Sequence, residues 1–180
     1  MCTKDEVVSP DQAPQLMKGD TEHMASGLKL TIELVPRPCW HSNLHTSMPR
    51  ATWDHLRRLV YTKYNYHCGI CQASNVQMIC HEIWQYDDEQ HIQKLAGFIA
   101  LCPMCNHCKH LGLAGTLAAE GKLDFEQVIA HFMRVNQCSR EDYEAHEKEA
   151  WRLFAERNKH SWTTDLGKYA HLVTQKERTN

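Results

Sequence analysis

Cys68–His110 reads CGICQASNVQMICHEIWQYDDEQHIQKLAGFIALCPMCNHCKH. Two Cys-x-x-Cys pairs, Cys68/Cys71 and Cys102/Cys105, frame this stretch, with thirty residues between them and the dipeptide His81-Glu82 inside. Two thiolates three residues apart grip one ion from a single tight turn, and two such turns complete a tetrahedral site. The spacing therefore predicts structural zinc on Cys68, Cys71, Cys102 and Cys105. The competing reading, a pair of disulfides, is disfavoured by the lack of a visible secretory run, since thiols stay reduced inside cells.

Working outward, 180 residues suffice for one domain with a real core, burying about 70% of the surface that the unfolded chain exposes. No segment approaches the roughly 18 consecutive apolar residues that a membrane span requires. The expectation is a soluble, intracellular, cytoplasmic protein without a membrane partner. Net charge is −2 and the pI about 6.7, so the global basic field of a typical nucleic-acid binder is missing. The charge is uneven, however. Residues 1–28 hold two Lys/Arg against five Asp/Glu, whereas residues 29–122 hold nine against seven. Thirteen His and nine Cys point to metal chemistry.

Residues 1–27 are polar, punctuated by Pro and Gly and without periodicity, the composition of a disordered leader. Leu28–Val35 alternates apolar and polar residues up to Pro36-Arg37-Pro38 and is expected to be a strand. Cys39 to Pro49 reads as a loop, with Cys39 as a packing thiol. Thr52 is a candidate N-cap for an amphipathic helix over 53–65. Val76–His81 alternates like a strand, placing His81 and Glu82 at or just past its end, while the run from Gln93 to Leu101 suits a strand or a short helix. Asp87-Asp88-Glu89 reads as a solvated acidic turn. Pro103 suits a first helical position, so Cys105, Asn106 and His110 are expected on a short helix ended by Gly112. Asn106 and His110, four apart, then share one face and can converge on a single ion. Asp124 is expected to cap a second amphipathic helix and Ser139–Asp142 to open a third through a capping box. The tail from Trp162 holds one short strand, and its charged end, Gln175–Arg178, is expected to fray.

The layout of the central stretch is strand, connection and helix around two metals, one structural and one catalytic. On His81, Asn106 and His110, together with the lead-in Leu101-Cys102-Pro103-Met104-Cys105, it resembles the zinc-bearing branch of the HNH endonucleases, small stand-alone bacterial or phage members in particular. The resemblance implies an α+β fold with a ββα-metal (HNH, His-Me finger) core, stabilised by the four-cysteine zinc and flanked by α-helices. It divides the chain into a leader (1–27), a nuclease core (28–122) and a C-terminal helical extension (123–180) packed on the same domain. It further implies metal-dependent hydrolysis of DNA phosphodiester bonds by His81, Glu82, Asn106 and His110. His81 would be the general base, with Asn106, His110 and Glu82 on Mg2+ or another divalent cation. The family pattern has two adjacent functional residues on the first strand, a ligand and then a base. Here Cys80, His81 and Glu82 are neighbours, so Cys80 or Glu82 is open for the second role, and Glu82 is open as the base. Two further readings stay beside this one: a non-catalytic zinc module that binds nucleic acid or a protein partner, and a nuclease acting on RNA. The oligomeric state is left open.

Overall fold

The run 93–101 resists a single periodicity because it is a strand with an extra residue. In the computed structural model, which describes residues 27–42 and 44–173, β1 (Ile79–Asp87) and β2 (Ile92–Leu101) form an antiparallel hairpin. Its register shifts between Ile83 and Trp84: Ile83 pairs with Gly97 but Trp84 pairs with Leu95, which leaves Ala96 unpaired. A bulge of this kind lets Leu95 and Phe98, three apart, face the same side of the sheet. A short β3 (Thr163–Asp165) joins β2 in parallel, giving a three-stranded sheet in the order β1-β2-β3 and an α+β protein.

The two faces of the hairpin carry separate cores. Cys80, Trp84, Leu95, Phe98 and Ala100 face a cluster built with Leu56 and Val60 of α2 (Arg50–Lys63), Leu44 of α1 (Leu44–Ser47) and Tyr169. Ile83, Ile99 and Leu101 face the other cluster. That cluster contains the cysteines, α3 (Pro103–Lys109), α4 (Leu111–Ala119), α5 (Phe125–Asn136) and α6 (Arg140–Arg157). Because side chains alternate along a strand, His81 belongs to this second face, whereas Cys80 and Glu82 belong to the first.

Several expectations need correction. Leu28–Val35 joins no sheet, although its alternation is real, with Leu30 and Ile32 buried. Side chains of α5 and α6 supply the hydrogen-bond partners a neighbouring strand would have given. Leu30 N donates to Asn136 Oδ1 (2.9 Å), Asn136 Nδ2 donates to Leu30 O (2.8 Å), and Ile32 N donates to His146 Nε2 (3.0 Å). The stretch expected as a loop holds a 3-10 turn (Arg37–Ser42) and α1. Thr52 lies inside α2, which starts at Arg50 after Pro49 with no side-chain cap. His81 sits near the start of its strand, not at the end, because β1 runs on to Asp87. Gly112 ends no helix and lies within α4. Within the acidic turn, Asp87 Oδ1 accepts from Glu89 N and Gln90 N, but Asp88 takes the fork of the buried Arg157 at 2.7 and 2.8 Å, and that guanidinium also stacks 4.2 Å from the Tyr86 ring centroid. Residues 1–26 of the expected leader and the charged end 175–178 lie outside the described residues.

Local chemistry placed other boundaries well. Cys102 is the N-cap of α3 with Pro103 at its first position, and Asp124 Oδ1 accepts from Glu126 N at 3.0 Å at the head of α5. Ser139 and Asp142 form the reciprocal capping box of α6. Among the described residues no helix is long and apolar enough to cross a membrane.

Candidate metal centre and cleft

The turn that carries Cys68 and Cys71 is held by Cys68 N donating to Ala73 O (2.9 Å) and Gln72 N donating to Cys68 O (3.0 Å), while Gly69 N donates to Ala100 O of β2 (2.8 Å). Gly69 is needed for space: a Cβ there would lie 2.6 Å from Tyr64 Cε1 and 2.7 Å from Ile99 Cγ1. The second pair sits where β2 runs into α3. There Cys102 Sγ accepts from Cys105 N (3.4 Å). The four sulfurs come together with all ligand atoms within 4.8 Å of one another, and Cys71 Sγ lies 3.6 Å from Cys102 Sγ. Tetrahedral zinc–thiolate bonds of about 2.3 Å place sulfurs roughly 3.8 Å apart, so the cluster fits such an ion, and 3.6 Å is far beyond a disulfide bond. These four cysteines could hold a metal such as zinc. Hydrogen bonds from Cys102 and Cys105 hold the Cys68 thiol well below its usual range.

A further pair of residues supports the cluster. His131 of α5, 5% exposed, places Nε2 3.1 Å from Cys105 Sγ, and Arg134 donates to its Nδ1 at 2.7 Å. An arginine can only donate, so Nδ1 is the acceptor and Nε2 carries the hydrogen toward the sulfur. A hydrogen bond to a bound thiolate drains charge from a four-thiolate centre and fixes the ligand's orientation. His131→Ala is expected to weaken zinc binding by about 10- to 100-fold with the fold retained. Competition against a chromophoric chelator measures this, and wild-type affinity in the variant would refute it.

Cys39, Cys80 and Cys108 are packing thiols. Cys108 Sγ bonds Val128 O (3.4 Å), and burial pushes its thiol up to about 12. Burial likewise raises Cys80 to about 12 and Cys39 to about 11. None is poised as a thiolate nucleophile.

Beside the sulfur cluster a cleft of about 830 Å³ opens, lined by Glu33, His81, Asn106 and His110 among others. His110 closes α3 through its N–H to Asn106 O (2.9 Å), so the two remain one turn apart although His110 is a helix junction and not a helical residue. Its ring lies 4.9 Å from that of His81, centroid to centroid, at a tilt of 58°. Burial, with the neighbouring His81 adding to it, pushes His110 down to about 4, so it is a neutral lone-pair donor at neutral pH. His81 is 5% exposed and directs Nε2 toward Glu33 Oε2 at 3.4 Å.

Glu33 was not singled out from the sequence, where it is one polar position in the alternating run 28–35. Its backbone N donates to Lys109 O (2.9 Å), and its Oε1 accepts from the buried Lys109 ammonium. Burial alone would raise this carboxyl, but Lys109 and His81 outweigh it and hold Glu33 well below the usual carboxylate range. A carboxylate with a depressed folded-state pKa adds stability that is fully present above the unfolded value and fades as pH falls through the folded one. Glu33→Gln is therefore expected to cost about 1–2 kcal/mol, limited by partial solvent exposure, and to cost the same at pH 5.5 as at pH 8. Urea denaturation at both values checks this; a penalty that vanished at pH 5.5 would contradict it.

Glu82 lines the same cleft, but both its oxygens are engaged. Its Oε1 accepts from Leu44 N (3.0 Å) and its Oε2 from Trp84 Nε1 (3.1 Å), and burial raises its pKa. The structure brings together His81, Asn106 and His110, adds Glu33, and sets Cys80 and Glu82 on the opposite face of β1. Among the described residues the four cysteines are the one group of three or more Cys, His, Asp or Glu that converges this closely. Set against family models, curated proteins and solved structures, the chain matches none.

Proposed function

We propose that this protein is a metal-dependent endonuclease of the HNH type that hydrolyses DNA phosphodiester bonds, with structural zinc on Cys68, Cys71, Cys102 and Cys105. The observation that carries the reading is the approach of His81 on the β1–β2 hairpin to His110 at the end of the following helix, 4.9 Å between rings, in a cleft that Asn106 also lines. A hairpin followed by a helix, with four cysteines at its base, supports the reading.

The donor set suits a hard divalent cation: a neutral imidazole and an amide oxygen leave most of the ion's charge available. His110 and Asn106 would hold it, while Glu33, whose oxygens face Lys109 and His81, stays with His81. Such a cation, magnesium or a similar ion, supplies charge for the phosphate and the leaving oxygen. His81 takes the proton from the attacking water. Glu33 engages Nε2, which leaves Nδ1 for that proton and offsets the imidazolium that forms. Glu82 serves structure in this scheme, since both its oxygens are occupied by Leu44 and Trp84.

The low exposure of His81, 5%, favours a second reading, a metal-bearing module that binds a partner without cutting. A supercoiled-plasmid assay with magnesium, manganese, nickel or no divalent cation decides between them. Metal-dependent nicking or linearisation supports the nuclease. No cleavage in any metal, with zinc still bound, favours the module.

A further inference from the structure

Four of the chain's five tryptophans, Trp40, Trp53, Trp84 and Trp151, line the cleft that holds His81 and His110. Six large apolar side chains are exposed among the described residues, and three of them, Trp40 (59%), Leu113 (52%) and Trp151 (41%), border this same cleft. These residues come from separate segments: the 3-10 turn, α2, β1, α4 and α6. Only the fold gathers them. Exposed indole faces cost free energy in water, and most of a protein's exposed apolar residues are scattered singly. Such concentration around one pair of histidines marks a binding surface.

The rings are also held in place. Trp40 Nε1 donates to Val35 O at 2.8 Å and Trp84 Nε1 to Glu82 Oε2 at 3.1 Å, while Trp151 packs edge-on to Phe154 at 5.6 Å and lies over Gly112, where a Cβ would come 3.9 Å from Trp151 Cη2. A tethered ring offers a flat face with little rotamer entropy left to lose on binding. Affinity here would come from stacking more than from charge, since the phosphates of duplex and single strand alike are gripped by Lys and Arg. The cleft wall offers Arg37, while the nearby Lys109 is committed to Glu33, and the whole chain carries −2.

We infer that the cleft takes unpaired DNA, whose bases stack on Trp40 and Trp151 while the adjoining phosphodiester lies at His81 and His110. This rests on the nuclease reading for what happens to that phosphodiester. In a duplex the bases are already stacked on each other and present only edges to a protein. In a single strand, flap or bulge their faces are free, and aromatic stacking captures them with little regard to sequence.

The test uses the full chain purified with zinc and no added magnesium, titrated against fluorescein-labelled 16-nucleotide single strands and the matching duplex, with anisotropy as the readout. Single strands are expected to bind at least tenfold more tightly. Trp40→Ala and Trp151→Ala should each weaken that binding by roughly tenfold. Trp40→Phe should restore most of it, and Val76→Ser, at an exposed apolar residue outside the cleft, should leave it unchanged. Equal or tighter duplex binding, a preference for RNA of the same sequence, or unaltered binding by both alanine variants would overturn the inference. So would a self-associated protein on light scattering that ignores every oligonucleotide. Addition of magnesium or manganese to the same oligonucleotides separates the two proposals. Tryptophan-dependent single-strand binding with no cleavage of any substrate supports the stacking surface and refutes the nuclease.

Discussion

Stripping the metal, or replacing Cys68 or Cys105 by serine, is expected to unfold the protein cooperatively, not merely to lower an activity. Both sulfurs are fully buried in the cluster that includes Leu30, Leu101, Val128 and Phe132, so an ion held by them would sit inside the larger of the two cores. It would join the turn before the hairpin to the helix after it. Without an ion, four thiols crowded within 4.8 Å either keep their protons, as the rise of Cys105 above its usual range under hydrogen bonds to Cys102 and Cys68 indicates, or repel as thiolates. Structural zinc contributes on the order of 10 kcal/mol of apparent binding free energy, comparable to the roughly 5–15 kcal/mol total stability of an ordinary domain. Thermal melts followed by circular dichroism, with and without chelator, measure the effect, and zinc released by a thiol-modifying reagent gives the stoichiometry. Cys108→Ser provides the contrast. It is as buried as the ligands but bonds only Val128 O, so it should cost about 1 kcal/mol and keep the metal. Wild-type melting of a chelated sample with confirmed metal loss would remove zinc from the account of folding.

The second large effect concerns cleavage. His81→Ala is expected to lower the rate by about 10²- to 10⁴-fold, the usual worth of a positioned general base, and His110→Ala to abolish detectable activity while both variants keep their zinc and a cooperative melt. Retention of fold is expected because the two rings line a cleft and are not part of the sulfur cluster. The acid side of the reaction carries a further expectation. His110 is pushed down to about 4 by burial, and Glu33 is held well below its usual range, so both stay deprotonated to about pH 5.5. Manganese affinity from titration calorimetry should therefore fall by less than about threefold between pH 7.5 and 5.5. The sign for stability follows from the same shift. Unfolded histidine takes up its proton near 6.5 and folded His110 only near 4, so His110 withdraws stability as pH falls through that window. Wild-type plasmid cleavage by His81→Ala would show that another group is the base, and unaltered cleavage by His110→Ala would displace the cation site.

Short-range features were legible from the residues alone. Cysteines three apart, Pro103 after Cys102, Asp124 before Phe125 and the Ser139–Asp142 box act within one turn of backbone, so their chemistry requires no knowledge of the rest of the chain. Asn106 and His110 are also local neighbours: a helix junction falls at His110 where a single helix was expected, and its N–H bonds Asn106 O. Misreadings arose where a distant partner decides. Leu28–Val35 has the alternation of a strand, but Asn136 and His146, more than a hundred residues away, take the hydrogen bonds a neighbouring strand would have taken. Ala96 is a bulge only because β1 lies opposite, and that one residue disguised the periodicity of β2.

The sequence by itself pointed to the four-cysteine cluster, through two local Cys-x-x-Cys turns, and to the α+β class and the grouping of His81, Asn106 and His110 through the resemblance carried by the stretch those turns frame. The tertiary structure alone decided that Glu33, 48 residues before His81, is the carboxylate beside that histidine, that Leu44 and Trp84 take both oxygens of Glu82, that His131 backs Cys105, and that four tryptophans share one cleft. Those relations depend on how helices and strands pack against each other, and packing joins residues whose separation along the chain carries no record of the contact.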